Sequence, residues 1–247
     1  MAEAARSVRT NLLFMRPDKP LHTILVTSAN PREGKTSTSA TLAITLAAST
    51  GNCIIVDTDL RKPRLHKAFG VTATTGVTSY ILSQDPVEKF VCKTEVPGLD
   101  LLACGPLPPN PSEILHTDRF KQLVNELMSK YDTVVFDSPP VEIVSDALVI
   151  ASLVDGVLLV AHFEKSKRDS VAATVAAMRS VNANMLGIVL SRTATRNVGY
   201  GYYYGKGYRR GMPYRYRYAA DPESERRDEA ALRLKNEKAE RNREDAA

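Results

Sequence analysis

HTILVTSANPREGKTSTSA, from His22 to Ala40, is the stretch that decides the fold of this chain. A β-rich apolar run from His22 to Thr27 ends in a turn, and a helical stretch opens at Lys35 and runs to about Ser49. Between them, Ala29 to Thr36 (ANPREGKT) fits the P-loop pattern G-x-x-x-x-G-K-[ST], with Ala29 at the first glycine position. A loop of this kind turns backbone N–H groups towards phosphate oxygens, and the opening helix adds the positive end of its dipole. The expected phosphate-binding set is Ala29, Asn30, Pro31, Arg32, Glu33, Gly34, Lys35, Thr36 and Ser37. Lys35 is expected to reach the β- and γ-phosphates, Thr36 to ligate magnesium, and Ser37 to face the α-phosphate. A chance Gly-Lys-Thr turn would lack the flanking strand and helix; both are present here.

Working outward, Cys53 to Asp57 (CIIVD), Leu99 to Ala103, Thr133 to Asp137 (TVVFD), Gly156 to Ala161 (GVLLVA) and Met185 to Leu190 (MLGIVL) read as further strands. Helices are predicted over 2–17, ending before Pro17, and at about 143–153 and 166–180. Another starts at Asn110-Pro111-Ser112-Glu113 and runs to about Lys130, with Asn as N-cap and Pro at the first helical position. The strands are continuous apolar runs that alternate with helices. That is the mark of a mostly parallel sheet covered on both faces, an α/β fold of P-loop NTPase type. Ligands of such a sheet sit at the carboxyl ends of its strands. The chain divides into an N-terminal helix at 1–20, a P-loop domain at 21–198 and a C-terminal stretch at 199–247.

Two of the strands end in acids. Asp57 and Asp59 (IIVDTDLR) finish the second strand, and Asp137 ends VVFD, where a Walker-B carboxylate would hold the magnesium shell. One aspartate after a strand is usually a turn or a helix cap, but three beside a P-loop form a site. Eight of the ten tyrosines then fall together: Tyr200, Tyr202, Tyr203, Tyr204, Tyr208, Tyr214, Tyr216 and Tyr218. This Tyr/Gly/Arg stretch carries no packed-core pattern and is expected to be disordered. Its phenols are candidate phosphate acceptors. A tyrosine hydroxyl has a pKa near 10, so transfer needs a base, and Asp57 is the first choice. Lys35, Asp57 and Asp59 are the expected catalytic residues, and Thr36, Asp59 and Asp137 the expected magnesium site.

Composition narrows the alternatives. At 247 residues and 43% hydrophobic content, one sizeable core with appendages is the natural size. Cys53, Cys92 and Cys104 have no metal-ligand spacing and suit a reducing compartment better than a disulfide framework. Four scattered histidines argue against zinc. No apolar run approaches the roughly 18–20 residues of a membrane span, so a cytoplasmic protein is expected, brought to the membrane's inner face only by a partner. Between Arg196 and Arg217 the charge is entirely basic, whereas residues 222–245 mix signs and lack an apolar face. Interleaved Tyr and Arg can bind single-stranded nucleic acid. A phosphate-donor domain upstream gives the phenols a simpler use, and no nucleic-acid partner is expected.

SANPREGKT from Ser28, IIVDTDLRKP from Ile54, VVFDSPP from Val134, GPLPPNPSEIL from Gly105 and the tyrosine cluster together resemble the bacterial tyrosine kinases of capsular and exopolysaccharide assembly. The resemblance covers about residues 2–218. It implies an ATP- and magnesium-dependent protein-tyrosine kinase that phosphorylates its own tyrosine cluster in trans and regulates polysaccharide synthesis. It also implies that Glu3, Arg6 and Arg9 (EAARSVR), on one helix face, join subunits into a ring. The chain is similar to the stand-alone form, which implies a separate membrane-embedded activator alongside protein-tyrosine substrates. Arg32 stands where that family often has glycine, and Ser191-Arg192 where related proteins often place an adenine-reading Asn. Arg192 is accordingly a candidate nucleotide contact. The alternative is a partition or positioning ATPase of the same fold, whose second P-loop lysine is here Asn30.

Overall fold

The computed structural model describes residues 2–15, 21–72 and 74–193. Helix α1 (Ala2–Met15) precedes strand β1 (Thr23–Ser28), and α2 (Lys35–Thr50) leads to β2 (Cys53–Asp57). Two short helices, α3 (Leu65–Ala68) and α4 (Val77–Ile81), come before β3 (Cys92–Lys93) and β4 (Leu99–Leu102). Then follow α5 (Pro111–Leu115), α6 (Asp118–Lys130), β5 (Thr133–Asp137), α7 (Asp146–Ala151), β6 (Gly156–His162), α8 (Arg168–Ser180) and β7 (Met185–Ser191). The strands form one seven-stranded sheet in the order β3-β4-β2-β5-β1-β6-β7. Every pair is parallel except β3–β4. The tyrosines of the 200–218 cluster and the charged stretch at 222–245 lie outside the described residues.

Why the strands read as unbroken apolar runs is clear from the packing. Successive side chains of a strand point to opposite faces, and both faces here are covered. On one, Ile24, Val26, Ile55 and Val135 meet Ala40, Ala43 and Leu46 of α2 and Leu12 of α1. On the other, Leu25, Ile54, Val56, Val134 and Phe136 meet Phe120, Leu123 and Leu127 of α6 and Ile150 of α7. Burying each such side chain stabilises the fold by about 1.5–3 kcal/mol. Central strands thus have no polar face to show.

The helix expected from Asn110 to Lys130 is two helices. Thr117 takes an extended conformation (φ −72°, ψ 151°) and its Oγ1 accepts the Phe120 N–H at 3.2 Å, so it caps α6 afresh. Asn110 caps nothing through its side chain; its Nδ2 instead donates to Glu113 Oε2 at 3.2 Å. The helix expected at 143–153 contracts to α7, because Ile143 lies exposed in the preceding turn and Asp146 opens the helix. The first helix ends at Met15. Strand β3, unforeseen, is only two residues long and sits at the sheet's edge, where no apolar run marks it.

Candidate active site at the carboxyl end of the sheet

Residues 29–34 bridge the end of β1 and the start of α2 as a tight loop. Gly34 adopts φ 94°, ψ 15°, a left-handed conformation that glycine tolerates freely, and α2 starts at once with Lys35. Arg32 also has positive φ, 65°, with an exposed side chain at the loop's tip beside exposed Pro31. Ala29 is buried, the Ser28 Oγ donates to the Asn30 carbonyl at 2.8 Å, and Ser37 is exposed on the first turn of α2. The orphan N–H groups of that first turn and of the loop form the anion-binding end of the helix.

The sheet register brings the acids to this loop. Asp57 and Asp137 are paired residues of neighbouring parallel strands, and Asp137 also pairs with Val26 just before the loop. Adjacent strands lie about 4.8 Å apart, so register alone sets two carboxylates side by side. Lys35 Nζ donates to Asp59 Oδ2 at 3.0 Å and lies 3.4 Å from Thr36 Oγ1. Asp57 is fully buried. Its Oδ2 accepts the Arg64 and Leu65 N–H groups at 3.1 and 3.0 Å, and its Oδ1 the Asp59 N–H at 3.3 Å. Asp59 Oδ1 accepts the Lys62 N–H at 3.0 Å, closing the turn after β2.

Asp137 differs from both. It is 1% exposed, and neither of its carboxylate oxygens has a hydrogen-bond partner among the described residues. Burial pushes its pKa up, while the Lys35 charge and the nearby Thr36 and Ser39 hydroxyls pull it back. Burial also pushes Asp57 up, aided by repulsion from Asp137 and opposed by the Leu65 N–H. Burial alone would lower Lys35, but Asp137, Asp59 and Asp57 together hold its pKa above the ordinary lysine value. A largely buried cluster of three carboxylates and one ammonium is short of positive charge. No group of three or more His, Cys, Asp or Glu among the described residues is arranged to hold a metal unaided. Magnesium does not need one, since it binds through one or two carboxylates, waters and substrate phosphates. The orphan oxygens of Asp137 beside Thr36 fit that requirement.

The structure thus gathers Lys35, Thr36, Asp57, Asp59 and Asp137 into one site. Arg192 stands exposed (φ 54°) immediately beyond β7, next to Ser191, whose Oγ donates to the Glu33 carbonyl at 2.6 Å. Glu3 and Arg6 form an exposed ion pair at 3.2 Å on α1, while Arg9 Nε is buried without a partner among the described residues. No local sequence pattern marks the clamp formed by Arg61, Asp146 and Ser112. Arg61 Nε and Nη2 donate to Asp146 Oδ2 and Oδ1 at 3.0 and 3.3 Å, and Ser112 Oγ joins them at 2.7 Å from Asp146. It ties the turn after β2 to the starts of α5 and α7 across 85 residues of sequence.

Fold and site define a P-loop nucleotide-binding protein. Residues 22–185 match the family model described as an AAA domain. The chain is 36% identical to tyrosine-protein kinase YwqD of Bacillus subtilis over 203 residues, 82% of this chain and 86% of that protein. It is 33% identical to the putative tyrosine-protein kinase CapB of Staphylococcus aureus, covering 83% and 91%. The kinase domain of Escherichia coli tyrosine kinase ETK superposes with a TM-score of 0.75 at 33% identity, covering 84% of this chain and 81% of that one. The cell-division ATPase MinD of Pyrococcus furiosus shares the fold alone, with a TM-score of 0.60 at 21% identity, covering 68% and 71%. The chain belongs to the bacterial tyrosine-protein kinase family.

Proposed function

We propose that this chain is an ATP- and magnesium-dependent tyrosine kinase whose principal substrate is its own cluster from Tyr200 to Tyr218. The observation that carries the reading is Asp137, a buried carboxylate with both oxygens unpartnered beside the P-loop lysine and threonine. Thr36, Asp59 and Asp137 would hold magnesium, which would supply charge neutralisation at the phosphates. Lys35 would leave Asp59 for the β- and γ-phosphates. The backbone N–H groups of 29–34 and Ser37 would align the chain of phosphates, with Arg192 near the base.

Transfer then needs little covalent chemistry. The phenol oxygen attacks the γ-phosphorus, the bond to the bridging oxygen breaks, and ADP leaves. The phenolic proton passes to Asp57, whose raised pKa suits a proton acceptor near neutral pH. Because Asp57 lies under the turn closed by Asp59 and Lys62, the proton must cross that turn, by a shift of it or by a water relay. If Asp57→Asn retained normal transfer, this role would be wrong.

The kinase names of CapB and other relatives support a place in capsule or exopolysaccharide synthesis. The solved chimera named CapA2B2, a TM-score 0.72 likeness, supports a separate activator, membrane-embedded in our reading and recruiting the chain from the cytoplasm. Glu3, Arg6 and Arg9 of the 1–20 helix would join copies of the 21–198 domain into a ring, with the 199–247 stretch presented in trans. Each phosphotyrosine adds about −1.5 to −2 charges, so four would cancel the six local positive charges and loosen the ring.

The decisive experiment is intact mass and phosphosite mapping after incubation with Mg-ATP, comparing wild type with Lys35→Met, with and without a candidate activator peptide. Ladders of phosphate on Tyr200–Tyr218 in wild type only are expected. ATP consumption with no phosphotyrosine, even with the activator, would favour a positioning-type ATPase instead.

A further inference from the structure

Glu33 is an odd residue to find in a phosphate loop. It places a carboxylate, 4% exposed, beside a pocket meant for anions. Its contacts explain why it is there. Oε2 accepts the Asn30 N–H at 2.9 Å, bending the loop onto itself, and Oε1 accepts the Ser166 hydroxyl. The Glu33 backbone carbonyl accepts the Ser191 hydroxyl at 2.6 Å, and a Cβ on Gly34 would lie 3.3 Å from that same Ser191 oxygen.

Both serines are themselves fixed. Ser166 Oγ accepts the His162 N–H at 2.7 Å, and its backbone N–H returns to the His162 carbonyl at 3.0 Å. The Ser191 carbonyl accepts the Phe163 N–H at 3.0 Å. The ends of β6 and β7 and the turn that follows β6 therefore form one hydrogen-bonded block, and that block grips the phosphate loop at two points of one residue.

A loop that binds through backbone N–H groups works only when those groups converge. Fixing a residue's backbone costs about 1–2 kcal/mol, and a loop ordered before the ligand arrives does not draw that from binding. We propose that Ser166 and Ser191 are positioning residues for the nucleotide: acting through Glu33, they hold the loop from Asn30 to Gly34 in its anion-ready shape. This rests on the loop being the nucleotide site of the proposed kinase. Neither serine touches the phosphates in this account, so the chemical step should not feel them.

The test is ADP affinity by calorimetry in the presence of magnesium, with steady-state ATP kinetics on the full chain. Ser166→Ala and Ser191→Ala should each raise the Kd for ADP and the KM for ATP about five- to tenfold, the scale of one lost hydrogen bond. The double variant should exceed either single one. The kcat at saturating ATP should stay within about twofold, and Ser166→Thr, which keeps the hydroxyl, should restore affinity. A double variant that binds ADP as wild type does, or a fall in kcat with KM unchanged, overturns the proposal. Wild type that binds ADP but forms no phosphotyrosine would sink the kinase reading alone, and the Kd comparison would still decide the brace. Wild type that binds no ADP overturns both.

Discussion

Asp155 and Asp137 stand at opposite ends of one sheet and meet opposite fates. At the amino end, Asp155 precedes β6 and its Oδ2 accepts three donors, the His22 and Thr23 N–H groups and the Thr23 hydroxyl, at 2.9–3.0 Å. Its work is finished when the chain folds. At the carboxyl end, Asp137 is more deeply buried and has no partner at all among the described residues. Folding leaves its acceptor capacity unmet. Asp146, clamped by Arg61 and Ser112, belongs with Asp155. What separates Asp137 from these two acids is not burial but unmet hydrogen-bonding capacity.

Exchanging the two acids' fates is the severest test. Asp137→Asn should reduce phosphotyrosine formation by roughly 10²–10³-fold, the scale of removing one preorganised electrostatic group, while nucleotide-free protein melts no lower than wild type. Asp155→Ala should do the reverse. It strands three donors, costing about 2–4 kcal/mol and roughly 5–10 °C in melting temperature, with ADP affinity within twofold of wild type. Loss of ADP binding in Asp155→Ala at temperatures where it is folded would dissolve the distinction.

Proton linkage offers a milder probe. Asp57 and Asp137 have pKa values raised above the unfolded carboxylate range near 4. The folded state therefore holds more protons than the unfolded one between about pH 4 and neutrality, and stability of the nucleotide-free chain falls as pH rises through that window. Denaturant midpoints from pH 5 to 8 should show this slope in wild type, on the order of 1 kcal/mol, and less of it in Asp57→Asn/Asp137→Asn. An equal slope in both would place the titration elsewhere. Smallest of all, Arg32→Gly should raise the melting temperature by a degree or two, since φ 65° strains arginine but not glycine; a fall would show that the arginine makes compensating contacts.

What could be read from sequence follows the range of each interaction. The strand and helix that flank the P-loop and the buried strands are local patterns, and they fell where expected, with Asp57 and Asp137 at strand ends. The break at Thr117 was missed because a good start at Asn110 masked a second one seven residues on. The Glu33–Ser166 and Glu33–Ser191 contacts span 133 and 158 residues, and Arg61–Asp146 spans 85. Serine and arginine carry no periodicity that would announce such pairings. Only the folded sheet, which brings the ends of β1, β6 and β7 together, makes them visible.

Lys35 and Asp59 hold each other in check. Their two charges satisfy each other at 3.0 Å. If Lys35 turns to a phosphate, as proposed, Asp59 is released, and a freed carboxylate so deeply buried would seek a cation. A cation on Asp59 equally releases Lys35. Nucleotide and magnesium should thus recruit one another, each tightening the other's binding by the same factor. The ion pair would then work as an exchange gate that admits both guests together more readily than either alone.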